Sequence, residues 1–302
     1  MSIENPAGRG ASAASVSRPR GEDLETRPPS SGAPRSTEDL WFVALDVDGT
    51  IMHEDGSIDQ PVVEAVAAAR DRGHFVTLAT GRSWATTAPV LEQLGLTPEY
   101  VVCANGAITM QRDDSAPGGY VRRHVETFDP TQVLERIRSF LPAGKFMVEL
   151  PDGHRLYTEG MTEWNLENAR EVRFEELLDQ RATRVVVTSL EHGLDEFFGI
   201  VDQMGLHHVS YAIGWTAWLD IAPDGVNKAT ALERVRGWLE LPIERVLAAG
   251  DGRNDLEMFA WAGAAGRAVA MGQAPDEVRE AANEVGASVD EAGLAAVLDS
   301  LP

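Results

Sequence analysis

Trp41-Phe42-Val43-Ala44-Leu45-Asp46-Val47-Asp48-Gly49-Thr50 is an apolar run that ends in two carboxylates two positions apart. The run reads as a buried strand. Successive side chains on a strand alternate faces, so Asp46 and Asp48 point toward one site if the strand continues through Asp48. Such a pair can supply a nucleophile that takes a phosphoryl group covalently, beside an acid that protonates a leaving oxygen and then activates water. The same residues also fit a strand that closes on a solvated Asp-Gly turn.

Three later segments follow in a meaningful order. His74-Phe75-Val76-Thr77-Leu78-Ala79 runs into Thr80-Gly81-Arg82, where a hydroxyl and newly exposed backbone N–H groups suit a phosphate oxygen. Gly225-Val226-Asn227-Lys228 opens a helical pattern through Leu232 and Val235, with Asn227 as N-cap and a cation at the helix start. Val246-Leu247-Ala248-Ala249 leads into Gly250-Asp251-Gly252-Arg253-Asn254-Asp255, a loop dense in the hard oxygen donors that magnesium prefers. Taken singly, these also read as an ordinary turn, a surface lysine and a polar loop. Together they fall at strand ends, where open α/β sheets place their ligands.

In this order the four segments resemble the motifs of the haloacid dehalogenase superfamily of phosphohydrolases, in the Cof-like branch with an α/β (type IIB) cap between the second and third motifs. Asn105-Gly106-Ala107 resembles that branch's signature after the third strand. Val269-Ala270-Met271-Gly272-Gln273-Ala274 resembles its near-terminal Met-Gly-Asn-Ala segment, with Gln273 where Asn is usual. The longer amide is expected to bear on substrate fit rather than on chemistry. The resemblance spans roughly Trp41 to the C-terminus. It implies a magnesium-dependent phosphatase acting on a small phosphate monoester, a sugar phosphate or similar metabolite, through an aspartyl-phosphate. Asp46 would be the nucleophile, Asp48 the acid and then the base, and Lys228 a neutralising cation. Thr80, Gly81, Arg82, Asn105 and Lys228 would bind phosphate or substrate. Magnesium would sit on Asp46, the backbone carbonyl of Asp48, Asp251 and either Asn254 or Asp255. The alternatives are a phosphomutase or phosphotransferase using the same aspartyl-phosphate, and a catalytically silent sugar-phosphate-binding protein. A dehalogenase has no use for the leaving-group acid Asp48.

The fold expected is α/β. Residues 40–109 and 220–302 would form a Rossmann-like parallel sheet with helices on both faces, such as Pro61 to Arg72 and Asp276 to Ala282. Residues 110–219 read as an inserted α/β cap domain, too long for a loop. Its strand candidates are Tyr120 to Val125, Lys145 to Leu150, Arg155 to Thr158, Thr183 to Thr188, Val209 to Ile213 and Trp215 to Ile221. Its helical patterns include Val133, Leu134, Ile137 and Leu141, then Leu194 to Met204.

The chain has 302 residues, 43% of them apolar, enough to bury a sizeable core in about two domains. A formal charge of -22 argues against nonspecific binding to nucleic acid or an anionic membrane. A phosphate ester would enter that field only where magnesium, Lys228 and Arg82 reverse its sign. Cys103 is the only cysteine, so no internal disulfide forms, and its apolar run Tyr100-Val101-Val102 marks a buried strand thiol. Residues 1–39 are poor in large apolar side chains and are expected to be disordered. They lack a signal-peptide core, so a cytoplasmic location is expected. His53 fits either the substrate entrance or a solvated loop. Trp215 and Trp218 fit either sugar stacking or cap packing.

Overall fold

The computed structural model describes residues 40–160, 168–206, 209–213 and 217–302; the expected disordered tail, 1–39, and Trp215 lie outside these. The chain begins with β1 (Phe42–Leu45), α1 (Gln60–Asp71), β2 (Phe75–Leu78), α2 (Trp84–Leu94), β3 (Tyr100–Cys103), β4 (Ile108–Arg112) and β5 (Tyr120–Val125). An inserted unit follows: α3 (Thr131–Phe140), β6 (Lys145–Glu149), β7 (Arg155–Tyr157), β8 (Ala169–Glu171), β9 (Arg184–Thr188), α4 (Leu194–Met204), β10 (Val209–Ile213) and β11 (Trp218–Pro223). The chain then returns through α5 (Lys228–Trp238), β12 (Val246–Gly250), α6 (Leu256–Gly263), β13 (Arg267–Ala270), α7 (Asp276–Ala281), β14 (Glu284–Val285) and α8 (Gly293–Asp299).

The main sheet is parallel, in the order β14-β13-β12-β1-β2. A parallel bridge between Ala79 and Val102 carries it on toward β3. Every residue of β1 is buried, as expected of a strand covered on both faces. Alternation divides its side chains. Val43 and Leu45 pack with α1, α2 and α8, while Phe42 and Ala44 pack with α5, α6 and α7. Cys103 is fully buried beneath α2, and burial pushes its thiol up to about 12, so it is a packing residue.

The inserted unit has its own six-stranded sheet, β10-β11-β9-β6-β7-β8, with α3 and α4 covering one face over Phe146, Val148, Val185, Val187, Leu219 and Ile221. Its boundaries differ from the expected 110 and 219. Tyr120–Val125, expected in the cap, pairs antiparallel with β4, which pairs with β3 beside the main sheet. Trp218–Pro223, expected to be divided at 219/220, is one strand of the inserted sheet, paired with β9 and β10. Hydrophobic alternation locates a strand but does not name its neighbours, which is why both edges were misplaced. Trp218 packs beside Met147, Val186 and Tyr157 on the sheet face away from α3 and α4. Among the described residues, no helix is long and apolar enough to cross a membrane.

α5 begins as its sequence suggests. Asn227 Oδ1 accepts from the Thr230 backbone N–H at 2.9 Å, and Thr230 Oγ1 accepts from the Asn227 N–H at 3.1 Å. This reciprocal cap satisfies two backbone donors at the end that presents Lys228. Asn227→Ala is expected to lower the unfolding free energy by about 1 kcal/mol in urea titration. An unchanged midpoint would show that the cap contributes nothing.

Candidate active site

β1 stops at Leu45, and the chain turns sharply, with the Ile51 and Met52 N–H groups both bonding the Val47 carbonyl at 2.9 Å. The two carboxylates therefore do not share a face through strand alternation, as the sequence suggested. Asp46 is buried, its backbone N–H donating to the Ala249 carbonyl of β12, whereas the Asp48 side chain is 57% exposed. Arg82 takes Asp48 in a fork, with Nε 2.9 Å from Oδ2 and Nη2 2.5 Å from Oδ1. Its role, left open by the sequence, is thus in part to hold Asp48.

The parallel register brings the loops after β1 and β12 side by side, with the start of α5 against them. Lys228, fully buried, donates through Nζ to Asp46 Oδ1 at 2.6 Å and to Asp255 Oδ1 at 2.7 Å. Asp255 Oδ2 accepts from the Asp251 and Gly252 N–H groups, both at 3.0 Å, which folds the 251–255 loop around its own carboxylate. Asp46, Asp251 and Asp255, all buried, each bring one carboxylate oxygen within 4.8 Å of the others. A side chain at Gly49, where φ is +74°, would overlap the Asp251 carboxylate, so only glycine lets the first loop approach so closely.

This cluster has more negative than positive charge. Burial raises the Asp46 pKa well above its ordinary value; Lys228 opposes this, while Asp255, Asp251 and Asp48 add to it. Burial, then the charge of Asp255, pushes Asp251 up to about 7 against the pull of Lys228. For Lys228, burial favours the neutral form, but the Asp255 and Asp46 carboxylates outweigh it and hold its pKa above the ordinary value. Three hard oxygen donors with one internal cation fit a small divalent ion such as magnesium, which would balance the remaining charge.

Other expected site residues take distinct places. Thr80 is buried at the end of β2 and its Oγ1 accepts from the Arg82 N–H at 3.1 Å. Gly81 lies against the Asn105 side chain. Asn254 donates through Nδ2 to Asn105 Oδ1 at 3.0 Å. Gln273 departs from expectation. Its Nε2 donates to the Gly49 carbonyl at 2.5 Å and to Asp251 Oδ2 at 3.3 Å, while its Oε1 accepts from Val289 N–H at 3.0 Å. It braces the carboxylate loops rather than only shaping substrate fit. His53 is bound between Asp59 at 3.1 Å and Asp290 at 3.3 Å, and the Asp59 hydrogen bond raises its pKa. Arg184 and Asp220 were not singled out by sequence reading. Their signal was a charge inside an otherwise apolar strand: Arg184 before Val185-Val186-Val187, and Asp220 between Leu219 and Ile221.

The family model for haloacid dehalogenase-like hydrolases matches residues 43–298. The chain belongs to the haloacid dehalogenase-like hydrolases. Among curated relatives of this hydrolase, the 5-amino-6-(5-phospho-D-ribitylamino)uracil phosphatase YitU of Bacillus subtilis is 28% identical, aligned over 85% of this chain and 96% of its own. The pyridoxal phosphate phosphatase YbhA of Escherichia coli is 26% identical over 80% of this chain and 92% of its own. A solved subclass IIB sugar phosphatase superposes with a TM-score of 0.71 at 19% identity, covering 86% of this chain and 98% of that one, and so shares the fold.

The pKa of Asp251 has a consequence for stability. Its folded value, about 7, lies above its ordinary 3.8, so between these values the folded state holds the extra proton. That stabilisation is complete below the lower value and is lost as pH rises through the upper one. The thermal midpoint of the metal-free hydrolase should therefore fall from about pH 5 to about pH 8, and fall less in Asp251→Asn. A divalent ion held by the deprotonated carboxylates would remove most of the decline. A wild-type slope matching that of Asp251→Asn would assign the pH dependence to other groups.

Proposed function

We propose that this hydrolase is a magnesium-dependent phosphatase that cleaves a small phosphate monoester, a sugar phosphate or similar metabolite, through an aspartyl-phosphate on Asp46. The observation that carries this reading is the buried Asp46 carboxylate at the end of β1, bonded to Lys228 and flanked by Asp251 and Asp255. Support also comes from the two phosphatase relatives, whose names specify phosphorylated small molecules.

An Asp46 oxygen attacks phosphorus in line, the bond from phosphorus to the leaving oxygen breaks, and Asp48 in its acid form protonates that oxygen. Asp48, now a carboxylate, takes a proton from water, which attacks phosphorus and releases phosphate and a free Asp46. In the observed arrangement both Asp48 oxygens accept from Arg82, so the acid step requires Asp48 to turn out of that fork. Its exposure leaves room for the turn. Lys228 favours the ionised form of Asp46, orients it and offsets charge on the phosphoryl group. Thr80 and the backbone after β2 would hold a phosphate oxygen. Magnesium, on Asp46, Asp251, Asp255 and the Asp48 carbonyl, would draw electron density from the phosphoryl oxygens and orient them.

The test is a panel of phosphate esters scored for released phosphate, with and without a chelator. Activity should vanish on chelation and return with magnesium. Asp46→Asn should fold normally yet lose several orders of magnitude in turnover, because an amide is a poor nucleophile. Asp48→Asn should lose far more on alkyl phosphates than on an activated aryl phosphate, whose leaving oxygen needs little protonation. Near wild-type release by Asp46→Asn would sink the nucleophile assignment.

A further inference from the structure

We propose that Asp220 is a positioning residue that ties the inserted sheet to the loop bearing Asp251 and Asp255, through Asn105 and Asn254. The inference rests on reading those two carboxylates as metal ligands. Asp220 lies on β11 within the inserted sheet and is 9% exposed. Arg184 on β9 holds both its oxygens, with Nε 2.7 Å from Oδ1 and Nη2 2.8 Å from Oδ2. Oδ2 also accepts from Asn105 Nδ2 at 3.0 Å, and Asn105 Oδ1 accepts from Asn254 Nδ2 at 3.0 Å.

This chain has one polarity. An ionised carboxylate only accepts, so the Asn105 amide must turn its NH2 toward Asp220 and its oxygen toward Asn254. Nor can Asn105 adjust through its backbone at low cost. Ala104, Asn105 and Gly106 have φ of +50°, +50° and +100°, a left-handed stretch that persists only where its surroundings over-determine it. The Asn105 N–H donates to the Thr80 carbonyl at 3.0 Å, and Ala104 N–H to the Arg82 carbonyl at 2.8 Å. A side chain at Gly106 would overlap the Asn227 carbonyl, directly before Lys228.

At the far end, Asn254 is packed into a single tight turn. A side chain at Gly252 would overlap the Asn254 Oδ1, and the Gly252 N–H donates to Asp255 Oδ2. Displacing Asn254 therefore displaces the carboxylates on either side of it. The same loop touches the insertion a second time, through the Arg253 guanidinium 4.8 Å from the centre of the Phe198 ring on α4. Where the inserted sheet sits and how the 251–255 loop is shaped are thus coupled.

The test is magnesium uptake by the full-length chain, measured by titration calorimetry alongside the metal-free thermal midpoint. Asn105→Asp sets two carboxylates against each other, and Asp220→Asn sets an NH2 group against an N–H donor of Arg184, or of both Arg184 and Asn105. Each should weaken magnesium binding about tenfold, the scale on which partners of metal ligands act. The double variant N105D/D220N restores a donor and an acceptor between the two positions at constant net charge, while Arg184 Nε keeps the amide oxygen; it should recover part of the affinity, which a loss of general stability would not allow. Asp is tolerated in the left-handed region, so Asn105→Asp and the double variant decide the matter if Asp220→Asn fails to fold. Folded single variants with wild-type affinity, or a double variant as weak as the singles, would overturn the coupling. A wild type that takes up no magnesium would instead overturn the metal reading, and the coupling with it.

Discussion

The buried ammonium of Lys228 holds this structure to its purpose. It bonds Asp46 at the end of β1 and Asp255 in the loop after β12, joining three segments far apart in the chain. Its place is unfavourable alone: a cation at the first position of α5 faces the positive end of the helix dipole and is cut off from water. Only the two carboxylates make it tenable. The dependence is mutual, because removing one member of a buried ion pair costs about 3–5 kcal/mol by stranding the other. With three carboxylates around one ammonium, the cluster is poised for a further cation rather than neutral in itself.

The parallel sheet provides the geometry that this pairing needs. Loops at the carboxyl ends of β1, β2 and β12 open on the same edge, and β3 adds the Asn105 loop beside them. Close approach then depends on backbone without side chains, at Gly49 against Asp251 and at Gly106 against the start of α5. The insertion enters and leaves next to the same edge. Its last strand ends at Pro223, within a few residues of Lys228, so the inserted sheet is joined by a short link to the α5 start. Asp46 and Asp48 divide along the same line. One is buried and bonded to Lys228, the other exposed and held by Arg82.

Much of this was legible in the sequence, for local reasons. The apolar runs at Phe42, Phe75, Tyr100 and Val246 form the strands they suggested, because a strand buried on both faces requires little else. Asn227 caps its helix through groups three residues away. Side-chain partners were not legible in the same way. The Arg82 fork on Asp48 spans 34 residues, the Asn105 bond to Asp220 spans 115, and that from Asn254 to Asn105 spans 149. No spacing rule reaches so far. Gln273 shows the limit most clearly: resemblance marked it as unusual, but only its neighbours reveal that it braces Gly49 and Asp251.

By itself, then, the sequence determined which residues end strands, which begin a helix and which family the chain resembles, since these follow from periodicity, capping and short motifs. Tertiary structure decided that β5 pairs beside the main sheet, that β11 belongs to the insertion, and that Asp48 turns to Arg82 while Asp255 turns to Lys228. It also raised the proton affinity of Asp251 and threaded Arg184, Asp220, Asn105 and Asn254 into one polar chain. The physical reason is that pairing, burial and electrostatic coupling depend on distances in space, and those exist only once the β-strands have taken their register.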